Sequence, residues 1–308
     1  MAGAGFKTFV SGAVLTAGEV NTYLMEQAVM TFADSTARDA AVTSPTEGMV
    51  CYLSDSNQLL SYDGTSWNAV VKQETVTFTA SGTFTKASYP WATYAIVTCV
   101  GPGGAGGGVL HSELQGEGSA GGGGGGGCTS LKFTATSALA TSETVTVGTG
   151  GTGVVGGNGN NGSGDTSFGT ICVAGYGYGG QVMGTIVSST VGRDVDISQG
   201  GSYNATNDAG DILLGAQRGG PGGCWKGNAF ALGVYRCGFS GSGGNTMYGN
   251  GGVGSAFTMG SILGETGNAG QGYGSGGGGP LQLFAGASVG DGAGGAGADG
   301  IVIVDLYS

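Results

Sequence analysis

Residues 119–130 read SAGGGGGGGCTS, seven consecutive glycines closed by Cys128. Glycine loses more backbone freedom on folding than any other residue. Such a run is therefore either an unfolded tether or a segment whose bare backbone is the building material, and the surrounding sequence separates the two. Only seven of the 73 glycines precede residue 101, so the 308-residue chain has two compositions. By the usual length of a domain, roughly 100 to 200 residues, this predicts two parts, 1–73 and 74–308.

A region in which about one residue in three is glycine suggests collagen, but collagen needs strict Gly-X-Y spacing and abundant proline. Five prolines and no fixed period exclude it. Glycine-rich disorder is the next candidate, yet disordered chains are highly charged and poor in apolar residues, whereas this one is 9% charged and 39% hydrophobic. An ordered glycine-rich domain is the better reading. Nine Lys and Arg, scattered singly in a chain of net charge −11, form no basic stripe, so neither nucleic acid nor an anionic membrane is expected as a partner. No apolar run approaches the ~20 residues of a membrane span, and the first residues lack the charged start and apolar core of a signal peptide. The protein is expected to stay where it is made or to leave as part of a particle. Six cysteines (51, 99, 128, 172, 224, 237) include no CxxC pair, and His111 is the only histidine. A zinc site is not expected, and small buried thiols are favoured over disulfides.

Upstream, LTAGEVNTYLMEQAVMTFADS has Thr16 and Glu19 at capping-box spacing. Val20, Leu24, Ala28 and Phe32 then recur at helical spacing, predicting an amphipathic helix of about five turns. TARDAAV is read as a short second helix. From Pro45 the texture changes to GMVCYL, QLLSY and WNAVV separated by Asp, Asn, Ser and Gly, a three-stranded meander with Tyr62 and Trp67 as apolar anchors. Beyond Glu74, strands are expected at Val76–Ala80, ATYAIVTCV, TSLKFTA, ETVTVG, GTICVAG and the closing GIVIVDLY, the last apolar on both faces like a buried central strand. The fold class is mainly β, a helix and meander followed by a glycine-rich β-sandwich-like domain.

Two readings of the glycine tracts stay open. Every buried peptide group needs a hydrogen-bond partner, and polyproline-II segments without side chains can pack closely enough to bond to one another, giving a stack of polyglycine helices. Alternatively, the glycines supply positive φ at turns. Recurrence of GPGGAGGG, GTGGTG, GGNGNNGSG, GSGGNTMYGNGG and GSGGGG favours the stack. In that picture VLHSELQ, QVMGTIVSSTVGRDVDIS, SYNATNDAGDILLGAQR, CWKGNAFALGVYRC and PLQLFAG form the tips of a glycine shaft, where binding usually resides.

Catalytic chemistry is not indicated. His111 sits alone in a glycine-flanked loop, Asp194 and Asp196 lack the further ligands of a calcium loop, and GxGxxG recurs by chance in so glycine-rich a region. The sequons at Asn161 and Asn204 matter only in a secretory pathway. No enzyme, cofactor or metal is expected.

Residues 6 to about 70, in particular LTAGEVNTYLMEQAVMTFAD, ARDAA and PTEGMVCYLSDSNQLLSYDGTSW, resemble the N-terminal regions of tailed-bacteriophage virion proteins. The remainder, from VTFTASGTFT to GGAGADGIVIVDLY, is similar to the glycine-rich domains of phage tail and fibre proteins and of polyglycine-sandwich adhesins. The resemblance implies a virion protein of the tail or tail fibre, assembled in the host cytoplasm, bound to other tail proteins by its N-terminal region, and homotrimeric as phage fibres commonly are. It also implies an outward glycine-rich domain for a host surface glycan or outer-membrane protein. Trp225, Tyr235, Tyr203, Arg218 and His111 are the expected receptor contacts, because aromatics with polar neighbours suit such recognition. Val20, Leu24, Ala28 and Phe32 are the expected attachment or oligomer face. A purely architectural capsid decoration or tail adaptor is the alternative.

Overall fold

The computed structural model describes residues 11–20, 28–70, 72–109, 118–182, 195–226, 236–258, 266–283 and 291–308. The protein is mainly β, with several sheets and few, short helices. Its chain divides into two compact units, Met1–Glu74 with Tyr307–Ser308, and Thr75–Leu306.

In the first unit the capping box forms as its spacing predicts. Thr16 N–H donates to Glu19 Oε2 at 2.9 Å and Glu19 N–H donates to Thr16 Oγ1 at 3.3 Å. The described helix, however, is one turn, Ala17–Val20, and the expected five-turn helix is corrected. Met30–Phe32 is a strand, paired in parallel with Val50–Leu53 so that Phe32 meets Leu53 in register. Val20 is half-buried at the helix end, Ala28 is exposed and non-helical, and Leu24 lies outside the described residues. No single helical face carries the four. The physical reason is that Val29, Thr31 and Phe32 are good strand formers. A strand partner some twenty residues later decides the outcome, as tertiary pairing routinely overrides helix propensity.

The second expected helix is present at Ser35–Ala41, its first turn closed by Asp34, whose carboxylate accepts from Ala37 N–H at 2.7 Å. The meander is Val50–Leu53, Gln58–Tyr62 and Trp67–Ala69, antiparallel throughout. Its last turn is tied by Asp63, which accepts from the N–H groups of Thr65 and Ser66 at 2.8 and 2.7 Å, bonds that hold this exposed carboxyl below its ordinary range. Trp67 and Tyr62 pack at 5.4 Å between ring centroids. The nearly buried Arg38 guanidinium of the helix lies over the Trp67 ring at 5.1 Å and pairs with Asp39. Cys51, Leu53 and Leu60 form the small core, with Phe32 and Met30 against it.

The second unit begins as a sandwich. One sheet runs in the order Ile212–Leu214, Thr129–Ala135, Tyr94–Val100, Ile301–Tyr307, Gln73–Phe78, and the other in the order Cys172–Ala174, Thr166–Phe168, Ser142–Thr146, Gly82–Thr85. Strand alternation turns Ala95, Val97 and Cys99, with Val302, Val304 and Leu306, onto Phe84, Val145, Phe168 and Cys172. The closing strand is internal, as its apolar run predicts.

From this sandwich project the glycine tracts, and they are rods. In the central rod, 121–128, hydrogen-bond direction repeats every three residues. Gly121, Gly124 and Gly127 donate to Pro280, Gly277 and Gly274; Gly122, Gly125 and Cys128 donate to Gln181, Tyr178 and Gly175; Gly123 and Gly126 donate to Gly220 and Gln217. The rod's own carbonyls accept from Gly107, Gly104 and Gly101 on a fourth neighbour, from Gly201 on a fifth, and from Gly241 and Gly244 on a sixth. A threefold repeat with all bonds to other segments is the signature of left-handed polyproline-II backbone, which has three residues per turn and no internal bonds. None of residues 121–127 has positive φ; the positive-φ glycines lie at turns such as Gly156, Gly164 and Gly169. The turn reading is thereby excluded for residues 121–127, while Gly156 and Gly164 at the ends of GGNGNNGSG and Gly274 at the start of GSGGGG do take the positive φ of a turn.

Close packing explains why glycine is obligatory. A Cβ added at Gly124 would lie 2.1 Å from the Gly104 carbonyl oxygen, and at the other six central positions 2.0–2.9 Å from a backbone oxygen. Proline is admitted where its missing donor costs nothing. Ala105 and Gly108 donate to Asn160 and Gly157, and Pro102 occupies the preceding position of that same triplet while its carbonyl accepts from Gly177.

Candidate functional site

The rods give the second unit two unlike ends. Tyr94–Val100 runs directly into 101–109, 121–128 runs directly into Thr129–Ala135, Cys172–Ala174 into 175–182, and 292–300 into Ile301–Tyr307. Gly101 bonds to Cys128 and Gly107 to Gly122, so these rods lie antiparallel and one set of ends meets the sandwich. The other ends carry a separate crown of short strands. Gly118–Ala120 pairs with Leu281–Leu283, and Val195–Ser198, Gly222–Lys226, Arg236–Phe239 and Ala256–Thr258 form a sheet beside them. At ~3.1 Å rise per residue, the central rod holds this crown about 22 Å from the sandwich.

Chain direction places the base at the opposite pole. Thr75 Oγ1 donates to Asp305, pairing the start of the strand Gln73–Phe78 with the end of the strand Ile301–Tyr307. Chain therefore enters and leaves the second unit at the sandwich pole that faces away from the rods.

The expected receptor contacts divide between the two ends. Trp225 lies in the crown, opposite Val195 and Cys237 in register. His111 and Tyr235 lie outside the described residues. Tyr203 is half-buried on a rod, bridged to Gly177, its hydroxyl filling the space beside Gly215. Arg218 is exposed and follows Gln217, which bonds near the sandwich end of the central rod. Thus SYNATNDAGDILLGAQR is not a tip beside the others, and this expectation is corrected. It turns back at the sandwich, where Ile212–Leu214 pairs with Thr129–Leu131 and Asp211 accepts from Phe133 N–H and from Lys132 Nζ, 2.7 Å away. Those two bonds hold the Asp211 carboxyl below its ordinary range. The apolar triplet Ile-Leu-Leu was the strand signal that reading as a tip passed over. All three residues are substantially exposed along this edge strand, Leu213 at 50%.

Where the central rod meets the sandwich, Cys128 is fully buried and its thiol donates to the Asn204 carbonyl at 3.4 Å. Burial, with the nearby Asp208 carboxylate adding to it, pushes the thiol up to about 12, so it stays protonated and serves as a small apolar plug. Burial also raises Asp208, against the Gly175 N–H that donates to it at 2.7 Å. In the sandwich, Cys99 and Cys172 are buried face to face and burial raises Cys99 well above the ordinary range. Cys51, Cys99, Cys128 and Cys172 are free thiols. Among the described residues no group of three or more His, Cys, Asp or Glu converges as a metal site; Asp194 lies outside them.

A β sandwich continued by a bundle of polyglycine rods, with a crown at the far end, defines a glycine-rich structural domain. Residues 79–307 match the family described as glycine-rich domain, and the chain belongs to that family. The match speaks to the glycine-rich domain alone. No curated protein matches the chain.

Proposed function

We propose that the protein is a virion component of a tailed bacteriophage, a tail or tail-fibre protein. Its first unit docks to other tail proteins, and its crown is presented to the host, where a surface glycan or an outer-membrane protein is the partner. The observation that carries this reading is the polarity of the second unit. The chain enters and leaves at the sandwich pole, while a shaft built around a side-chain-free central rod, every N–H of which is hydrogen-bonded, carries the crown at the opposite pole. Rigid display of variable segments on a fixed frame is how binding surfaces are commonly built. The N-terminal resemblance to virion proteins supplies the other support, and a homotrimer is the expected assembly.

In this reading the receptor contacts belong to the crown, with Trp225, and not to the rod flanks where Tyr203 and Arg218 sit. Purified full-length protein should bind host cells and compete with virion adsorption. Trp225→Ala should lower that binding at least tenfold and Arg218→Ala should leave it unchanged. Failure of the intact protein to bind cells to which the virion adsorbs would reject the receptor role and leave the architectural one.

A further inference from the structure

At the sandwich pole, far from the crown, two single-turn 3₁₀ helices, Lys86–Ser88 and Thr136–Ala138, face each other across a cavity of about 490 Å³. That volume falls in the range of small-molecule sites, about 300–1,000 Å³. Its frame is fixed by backbone bonds across the gap, Lys86 N–H to Thr141 at 3.1 Å and Thr136 N–H to Thr93 at 2.9 Å. Thr136 Oγ1 also donates to the Ala92 carbonyl.

The lining combines three kinds of group. Among the described lining residues Lys86 is the one cation, its Nζ donating to the Leu139 carbonyl at 2.9 Å, which positions the ammonium and leaves its remaining N–H groups for a ligand. Among the described residues no carboxylate lines the cavity. Hydroxyls come from Thr93, Ser137 and Thr141, and an apolar wall from Tyr89, Pro90 and Ala92. The Tyr89 ring is held in place by stacking on the buried Phe84, centroids 5.4 Å apart and planes 8° apart.

We propose that this cavity binds a carboxylated sugar unit, of the uronic-acid type. A simple anion would satisfy Lys86 and leave the apolar wall and the hydroxyls unused. A neutral sugar would use the wall and hydroxyls and leave the ammonium without an opposite charge, and a hydrocarbon would strand both polar sets. A ring with C–H faces, several hydroxyls and one carboxylate matches all three. In a chain of net charge −11, the attraction has to be this local. The site is independent of the crown and stands whether or not the crown contacts a host.

The test is titration of the full-length protein with sodium glucuronate, glucose, sodium acetate and inorganic phosphate, followed by calorimetry or ligand-observed NMR. Glucuronate is expected to bind at least tenfold more tightly than each of the other three. Lys86→Gln should weaken it at least tenfold. Thr141→Val, which keeps the carbonyl that accepts from Lys86, should weaken it at least threefold at unchanged melting temperature and decides the matter if Lys86→Gln does not fold. Absence of glucuronate binding, equal binding of phosphate or acetate, or an affinity unchanged by Thr141→Val would overturn the proposal.

Discussion

The sandwich and the rod bundle occupy one compact unit and are held together by opposite means. In the sandwich, Val97, Phe168, Val304 and Leu306 are wholly or almost wholly buried, and their apolar area leaving water is the stabilising term. In the bundle the central rod, 121–127, has no side chains, and each of its N–H groups bonds to a neighbour while the next triplet position bonds to a different one. Ordering each of those residues costs about 1–2 kcal/mol of backbone entropy. The bundle offsets it with hydrogen bonds and dispersion contacts between backbones that approach within a Cβ's radius. The sandwich should therefore suffer from atoms removed, and the bundle from atoms added.

The largest effect is expected for Gly124→Val. Three heavy atoms would have to enter a space where even a Cβ lies 2.1 Å from the Gly104 oxygen. The rod cannot yield without breaking bonds to several neighbours, so loss of more than about 4 kcal/mol, read as failure of the second unit to fold, is expected. Phe168→Ala comes next, at about 3–5 kcal/mol in denaturant melts, because it leaves a cavity in the sandwich core. Gly164→Ala separates glycine's two uses. Gly164 has φ +77° with nothing within 4 Å of an added Cβ, so only left-handed strain applies, about 1–2 kcal/mol. Equal costs for Gly124→Val and Gly164→Ala would erase the distinction between rod and turn.

Smallest is a pH effect at the junction. Burial raises Asp208 above its unfolded value, so its contribution to stability is fully present below the ordinary aspartate range and is lost as pH rises through the folded value. Asp208→Asn keeps an acceptor for the Gly175 N–H and removes that loss. The variant should melt higher than the parent near neutral pH by a few degrees, and the difference should shrink as pH falls into the acid range. A difference independent of pH would show that the carboxyl's ionisation is not the cause.

Much of this contrast was legible in the sequence. Strand-length apolar runs in ATYAIVTCV and TSLKFTA located the sandwich strands, and GIVIVDLY, apolar on both faces, marked the internal one. Recurrence of glycine tracts pointed to the bundle but left turns open, because sequence does not state φ. The N-terminal segment misled for a local reason: the Thr16–Glu19 box caps only one described turn, and the later strand Met30–Phe32 depends on a partner at Val50–Leu53 that no window around it contains. For the candidate site, breaks in the glycine pattern located the excursions without saying at which end of the shaft each falls. Rods alternate in direction, so the segment between 199–204 and 216–222 must turn at the sandwich, which places Tyr203 and Arg218 away from Trp225.

The central claim is that residues 121–127 are a rod bonded on six sides, and amide hydrogen exchange at those seven glycines tests it most directly. The account predicts that all seven exchange as slowly as Val97 and Val304 in the sandwich core, through global unfolding of the second unit. Exchange of these glycines at the rate of an open loop, while the sandwich amides stay protected, would contradict it.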